Sequence, residues 1–322
     1  MDFNKYKPIE TNQNENNNQT NIEEYQYLNL LYGVAMFGTL KPNRTANKTK
    51  SIFGNIMKFT LTKNNKKILP LLTTKNMLKS SESIFKELIF FIKGQTDSKI
   101  LSTAGVKIWD ANTSREFLDS VGLDYEVGDI GQLYGINWRH YGIEYKGCKE
   151  DYTNQGFDQL QFVIDEIKKN PYSRRLLVTA WNPLILHKGV LAPCHTYFQF
   201  NVEPDENTNT PKYLSCMLYQ RSADLPLGVP FNIASYATLT HMIANLTDLV
   251  AKELVYTTAD THVYEDQLYL IPGQIFRKPY DFPNIEFDFS NDVIKSIDDY
   301  KVEHIKLTNY KFHPLISYPF SV

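Results

Sequence analysis

Apolar and polar positions divide the chain into a polar start and a long patterned remainder. Residues 1–21 end in TNQNENNNQTN, almost without apolar groups, so they cannot bury enough surface to offset the entropy of ordering. A disordered Asn-rich tail is expected there. Pattern begins in EEYQYLNLLYGVAMFG, where Tyr27, Leu30, Leu31 and Val34 recur at helical spacing. The loop TLKPNRTANKTK then leads to SIFGNIMKFTL, a strand in which Ile52, Ile56 and Phe59 alternate with other residues. SSESIFKELIFFIKG predicts a helix capped by Ser or Glu side chains and closed by Gly94, with Ile84, Leu88 and Phe91 on its apolar stripe.

Further on, FDQLQFVIDEIKKNP predicts an amphipathic helix stopped by Pro171, and RRLLVTAWNP predicts a strand. TYFQFNV and KYLSCMLYQRS are β-rich and joined by the polar EPDENTNTP, which reads as a hairpin. FNIASYATLTHMIANL is apolar nearly all round and predicts a buried helix, before KELVYTTADTHVY returns to a strand. No linker or repeat interrupts residues 22–322, so one α+β domain is expected over that span.

Composition narrows the classes of function. The chain has 322 residues, 42% of them apolar, and a formal net charge of −2, which argues against general nucleic-acid binding. Its three cysteines, Cys148, Cys194 and Cys216, lie far apart without metal-ligand spacing, so no metal site and a reducing, cytoplasmic setting are expected. No apolar run reaches membrane-spanning length and the start lacks a secretory core. GxGxxG after a strand, GxxxxGK[ST] and HExxH are all missing, so nicotinamide, P-loop and zincin readings have no support.

Candidate chemistry gathers at a few places. In LAPCHTYFQF, residues 191–200, a turn presents Cys194 and His195 at the start of a strand. A thiol held there can act as a nucleophile, or can be a structural cysteine beside a surface histidine. Glu87 falls on the apolar stripe of its helix, where it either lines a cavity or snorkels at the stripe's edge. Arg174 and Arg175 form a tandem at a turn, and Arg221 is followed by Ser222, a mixture of forked donors and a hydroxyl that suits a phosphate. Surface ion pairing is the alternative for each arginine. Leu227-Gly228-Val229-Pro230 reads as a tight turn that sets Asn232 at the mouth of the buried helix, as a cap or as an amide that reads a uracil edge. Asp224 is either a turn aspartate or an acceptor for an amino-heterocycle.

Taken together, APCH, RR with AWNP, QRSAD, LGVPFNIASYA and DTHVY resemble the folate-dependent thymidylate synthase family over about residues 25–322. IKGQTDSKILSTAGVKIWDANTSREFLDSVG and GDIGQLYGINWRHYG are most similar to its eukaryotic branch. The resemblance implies a large mixed sheet packed by helices, with one sheet face forming a homodimer interface. It implies conversion of dUMP to dTMP by 5,10-methylenetetrahydrofolate, which supplies both carbon and hydride, so no nicotinamide is needed. Under it Cys194 adds to C6 of the uracil, Asn232 reads the base edge, and Glu87 and Tyr134 move protons. His195 joins the surrounding hydrogen bonds. Arg221, Ser222 and Arg44 hold the phosphate, joined by Arg174 and Arg175 from the partner subunit. His262 and Tyr264 bind the sugar. Trp109, Asn112, Asp224, Gly228, Phe231 and Val322 meet the folate.

The chain departs from the family's pattern at three places. Ala46 and Lys48 stand where glycines are usual, Lys75 to Glu87 runs about two residues longer, and Ser317 replaces a common lysine. Two rivals remain at this level. A deoxyuridylate hydroxymethylase of the same fold would capture the methylene with water, although Trp109 favours hydride transfer, and the cytidylate version resembles the family with aspartate in place of Asn232. A cysteine hydrolase built on Cys194 and a histidine would leave the arginines and Asn232 without a role.

Overall fold

Four strand ends meet at one edge of a six-stranded sheet, and the connections of the chain explain why. The structure, a computed structural model, describes residues 21–43 and 47–320. Of the tail expected over residues 1–21, residues 1–20 lie outside the described residues, as do Arg44 and Val322. Asn21, the end of that expected tail, is buried and its side chain caps the first helix by accepting from the Glu24 N–H.

Helices α1 (Ile22–Phe37), α2 (Leu78–Ile92), α3 (Lys99–Thr103), α4 (Arg115–Ser120), α5 (Tyr134–Arg139), α6 (Gln159–Lys169), α7 (Gly228–Leu246) and α8 (Pro272–Ile275) alternate with strands. The strands are β1 (Thr39–Lys41), β2 (Thr49–Thr60), β3 (Thr62–Lys63), β4 (Lys66–Lys67), β5 (Leu177–Thr179), β6 (His195–Pro204), β7 (Pro211–Asp224), β8 (Val250–Tyr264), β9 (Asn284–Phe287) and β10 (Ile305–Thr308). The main sheet runs β1-β2-β8-β7-β6-β5, while β3 with β4 and β9 with β10 form separate pairs. Among the described strands of this sheet only β7 and β8 are parallel, which makes it mixed. Their connection is α7, because parallel neighbours need a crossover and a helix supplies it.

This topology builds the site. β7 ends at Asp224 and β8 ends at Tyr264, with Asp224 opposite His262. β6 is antiparallel to β7 and begins at His195 opposite Gln220, while β2 begins at Thr49 opposite Tyr264. The N-terminus of α7 reaches the same edge. Most motifs scattered through the sequence therefore converge at the carboxyl ends of two parallel strands, where open sheets commonly take ligands.

Helix α7 lies against β7 and β8, and α2 lies on α7. Phe198, Phe200, Leu218, Leu254 and Tyr256 fill the space beneath them. Alternate residues point the other way. Tyr197, Met217 and Ile56 stay exposed on the outer sheet face, although they are as apolar as their buried neighbours.

Several local expectations change. Ile56 is exposed while Phe59 is buried, so the two do not share a face. Helix α2 begins before SSES, with Met77 at its cap position and no side-chain cap, though the Leu78 N–H donates to Asn76 Oδ1 at 2.9 Å. Gly94 closes that helix as expected, at φ +66. RRLLVTAWNP yields only three strand residues, Leu177–Thr179. The LGVP stretch belongs to the N-terminus of α7 instead of a separate turn, so Asn232 lies within the helix and is no cap.

Candidate active site

Cys194 directly precedes β6, and both of its backbone polar groups are held. Its N–H donates to the Tyr134 hydroxyl at 2.8 Å, and its carbonyl accepts from the Arg221 N–H at 2.8 Å. The Arg221 side chain grips the same loop, with Nε donating to Pro193 O at 2.8 Å and Nη2 to Ala192 O at 2.7 Å. Its guanidinium lies 5.4 Å from the Trp181 ring centre, which fixes its plane. The thiol side chain is partly exposed. The backbone at Cys194 is thus fixed from two sides, an arrangement that suits a side chain needing precise placement.

His195 faces away from general-base work. Its ring stacks on Tyr134 at 3.7 Å with an interplanar angle of 3°, and Nδ1 is hydrogen-bonded to the Tyr236 hydroxyl at 2.7 Å. Burial pushes its pKa down to about 3, so the imidazole is neutral at physiological pH. A Cys–His dyad that stores charge on the imidazole finds no support here.

Tyr134 links this group to the helix side of the site. It comes from the first turn of α5, and its ring centre is 6.4 Å from that of Trp109. Trp109 Nε1 donates to Glu87 Oε1 at 2.8 Å. Burial pushes the Glu87 pKa up to about 7, opposed by that hydrogen bond. A carboxyl half-protonated near neutrality can both give and take a proton. The Tyr134 hydroxyl is held protonated, first by burial and then by the nearby Cys194.

At the end of β7 stands Asp224, whose pKa is pushed up to about 6 by burial, with neighbouring His262 pulling the other way. A Cβ placed on Gly228 would lie 3.7 Å from Asp224 Cβ and 3.8 Å from Asn232 Oδ1, so these three residues are neighbours at the start of α7. Ser222 precedes Asp224 on β7, and opposite them on β8 His262 Nδ1 is 3.2 Å from Asp260 Oδ1. The His262 and Tyr264 rings meet edge to face at 5.4 Å. Phe231 is partly buried against the core, and Asn112 is buried in a short turn just after Trp109.

Cys194, His195, Tyr134, Glu87, Trp109 and Arg221 are thus brought together, with Ser222, Asp224, Gly228, Asn232, His262 and Tyr264 along the same sheet edge. Arg174 and Arg175 are not. They are exposed at the turn before β5, and the Arg174 carbonyl accepts from Gln199 Nε2 at 3.2 Å. Gln199 is four residues along β6 from His195, which sets Arg174 roughly 13 Å from the Cys194 end of that strand.

Sequence reasoning missed Trp181, Tyr236 and Lys75. Lys75 is the clearest case: its ammonium is buried, donates to Pro226 O, and has its pKa lowered to about 8 by burial against the opposing influence of Asp224. The available signal was a lone lysine at the end of the apolar run ILPLLTTK. Among the described residues no group of three His, Cys, Asp or Glu side chains could hold a metal ion, and no helix is long and apolar enough to cross a membrane. A polar cavity beside Asp288, Asp292, Lys301 and His304 lies elsewhere, and its two aspartates are held in ion pairs.

Comparison with known proteins places the chain in a family. A family profile described as thymidylate synthase matches residues 25–322. The chain is 46% identical over 316 residues to a thymidylate synthase of Candida albicans, covering 94% of this chain and 98% of that protein. It is 46% identical over 306 residues to the Saccharomyces cerevisiae protein of the same name, with the same coverage of 94% and 98%. A herpesvirus ateles thymidylate synthase is 45% identical over 300 residues, covering 93% of this chain and 98% of its own length.

Proposed function

We propose a catalytic mechanism from one premise: this chain belongs to the thymidylate synthase family. The enzyme methylates dUMP to dTMP, with 5,10-methylenetetrahydrofolate as the co-substrate. In the mechanism the Cys194 thiolate forms a bond to C6 of the uracil, and the C5–C6 π pair moves toward O4 as an enolate. C5 then forms a bond to the folate's methylene carbon as that carbon's bond to N10 breaks. Loss of the C5 proton drives cleavage of its remaining bond to N5, and hydride transfer from the released tetrahydrofolate to the exocyclic methylene expels the Cys194 sulfur, giving dTMP and dihydrofolate.

The observation that carries this reading is the double clamp on Cys194, from Tyr134 on one side and Arg221 on the other. Glu87 holds water near O4 and exchanges its proton, a role that suits a pKa of about 7. The Asn232 side-chain amide has no hydrogen-bond partner among the described residues, which leaves it for the base edge. Tyr134 assists removal of the C5 proton. Ser222 and the N–H groups that Arg221 does not spend on the loop hold the phosphate, and His262 and Tyr264 take the sugar. Asp224 bonds the pterin while Trp109 contacts its ring, with Asn112, Gly228, Phe231 and Val322 as further folate contacts. Arg44 joins the phosphate; five residues on, Thr49 pairs with Tyr264 at the start of β2.

The working form is a homodimer in the cytoplasm, built on the outer sheet face. Support comes from Phe53 at 78%, Ile56 at 61% and Met217 at 45% exposure, with Tyr197 and Tyr219 stacked beside them at 5.3 Å. An apolar area of this kind calls for a cover. A two-fold contact there carries Arg174 and Arg175 to the partner's phosphate site and accounts for their distance from their own.

Two experiments test these readings. Incubation with dUMP and methylenetetrahydrofolate should yield dTMP and dihydrofolate in equal amounts, and 5-hydroxymethyl-dUMP with tetrahydrofolate would contradict it. Mixing Cys194→Ser with an Arg174→Ala/Arg175→Ala variant should restore turnover, because a mixed dimer contains one complete site. A monomer by sedimentation, or no recovery after subunit exchange, would rule out the shared site.

A further inference from the structure

Glu24 is fully buried in the first turn of α1, where the helix dipole favours a negative charge. It does not fold back on its own helix. Four donors converge on its carboxylate from one short segment: the N–H and hydroxyl of Thr73, at 2.9 and 2.6 Å, and the N–H and hydroxyl of Thr74, at 2.9 and 2.7 Å. The next residue is Lys75, whose buried ammonium donates to Pro226 O. One turn along α1, on the same face as Glu24, the Tyr27 hydroxyl donates to Leu225 O at 3.0 Å. Leu225 and Pro226 directly follow Asp224, and the Leu227 N–H closes the turn on Asp224 Oδ1 at 3.4 Å. Helix α1 therefore reaches the Asp224 turn twice, directly through Tyr27 and indirectly through Thr73, Thr74 and Lys75.

We infer that Glu24 and Tyr27 are positioning residues for the folate: from α1 they set where the Asp224–Leu227 turn presents its carboxylate. The inference rests on the reading of Asp224 as the pterin contact. Neither residue touches Cys194, Arg221 or Asn232, and the nucleotide side of the site has its own clamps. The effect of removing these contacts should therefore fall on the folate and spare dUMP.

The test uses the full chain with Glu24→Gln, Tyr27→Phe and Asp224→Asn. It measures the folate KM at saturating dUMP, the dUMP Kd by calorimetry, kcat and Tm. Loss of one neutral hydrogen bond in Tyr27→Phe should raise the folate KM about fivefold, and loss of the charge that gathers four donors in Glu24→Gln about tenfold or more. The dUMP Kd should stay within about twofold and kcat within about threefold. Placed on Asp224→Asn, Tyr27→Phe should add no further rise, since both changes act through one contact. If Asp224→Asn raises the folate KM while Tyr27→Phe leaves it unchanged, the positioning role is wrong and the pterin contact stands. Should Asp224→Asn itself leave folate binding unchanged, both ideas fall. A parallel weakening of dUMP and folate would mark a general structural role and overturn the inference. If Glu24→Gln does not fold, Tyr27→Phe decides alone.

Discussion

Glu24 on α1 and Glu87 on α2 are both recessed carboxyls whose pKa values burial pushes up. Their surroundings differ in one respect. Glu24 receives four donors from Thr73 and Thr74, which nearly fills the acceptor capacity of a carboxylate. Glu87 receives one, from Trp109, and keeps acceptor capacity for water or substrate. Burial alone thus does not mark a catalytic carboxyl. A saturated carboxylate orders its neighbours and is poorly placed to exchange a proton, whereas an unsaturated one of pKa about 7 can do so during turnover.

The same substitution at both positions can break this contrast. Glu87→Gln should lower kcat by about 10²–10⁴-fold, the usual reach of general acid–base catalysis, and leave dUMP binding within a few-fold. Glu24→Gln should leave kcat within about threefold and act through the folate KM. Steady-state kinetics on the pair checks both statements, and a larger loss of kcat at Glu24 than at Glu87 would reverse the assignment.

The smallest effect is on stability, and its sign separates Glu87 from an ordinary ion-paired acid. Its folded pKa of about 7 lies above the unfolded value of 4.5. The folded state therefore binds the proton more tightly, and stability falls as pH rises from about 4.5 to about 7, the loss being complete above that window. Glu87→Gln removes the penalty and should stabilise the protein by about 1–3 kcal/mol at pH 8, with a smaller gain at pH 5.5. Urea unfolding at the two pH values measures the difference. Equal gains at both would mean that Glu87 does not titrate in that window.

Those two glutamates also show how far the sequence can be read. Glu87 is visible because a carboxylate interrupts the Ile84–Leu88–Phe91 stripe, a local pattern of helical period. Glu24 is invisible because its partners Thr73 and Thr74 are 49 and 50 residues away and carry no local signature. The same division runs through the fold. The β6–β7 hairpin, α6 and buried α7 follow from local alternation and period, as does the placing of Arg221 and Ser222 at the end of one strand, whereas Asp224, read as a turn residue, proves to be that strand's last residue. Strand β2 misleads because both of its faces are apolar and Gly54, at φ +85, breaks the alternation between Ile52 and Phe59. Tyr236 and Trp181 act on His195 and Arg221 from 41 and 40 residues away, so only the folded chain assigns them.

The central claim is that Cys194, held by Tyr134 and Arg221, attacks the pyrimidine. The most direct measurement is mass spectrometry of the enzyme incubated with 5-fluoro-dUMP, with and without methylenetetrahydrofolate. Fluorine cannot leave C5 as a proton does, so the reaction should halt with nucleotide and folate both covalently bound. The account predicts an adduct of that mass on the peptide containing Cys194, formed only with folate present, and none in Cys194→Ser, which still binds dUMP. An adduct on another residue, or undiminished turnover of dUMP by Cys194→Ser, would contradict it.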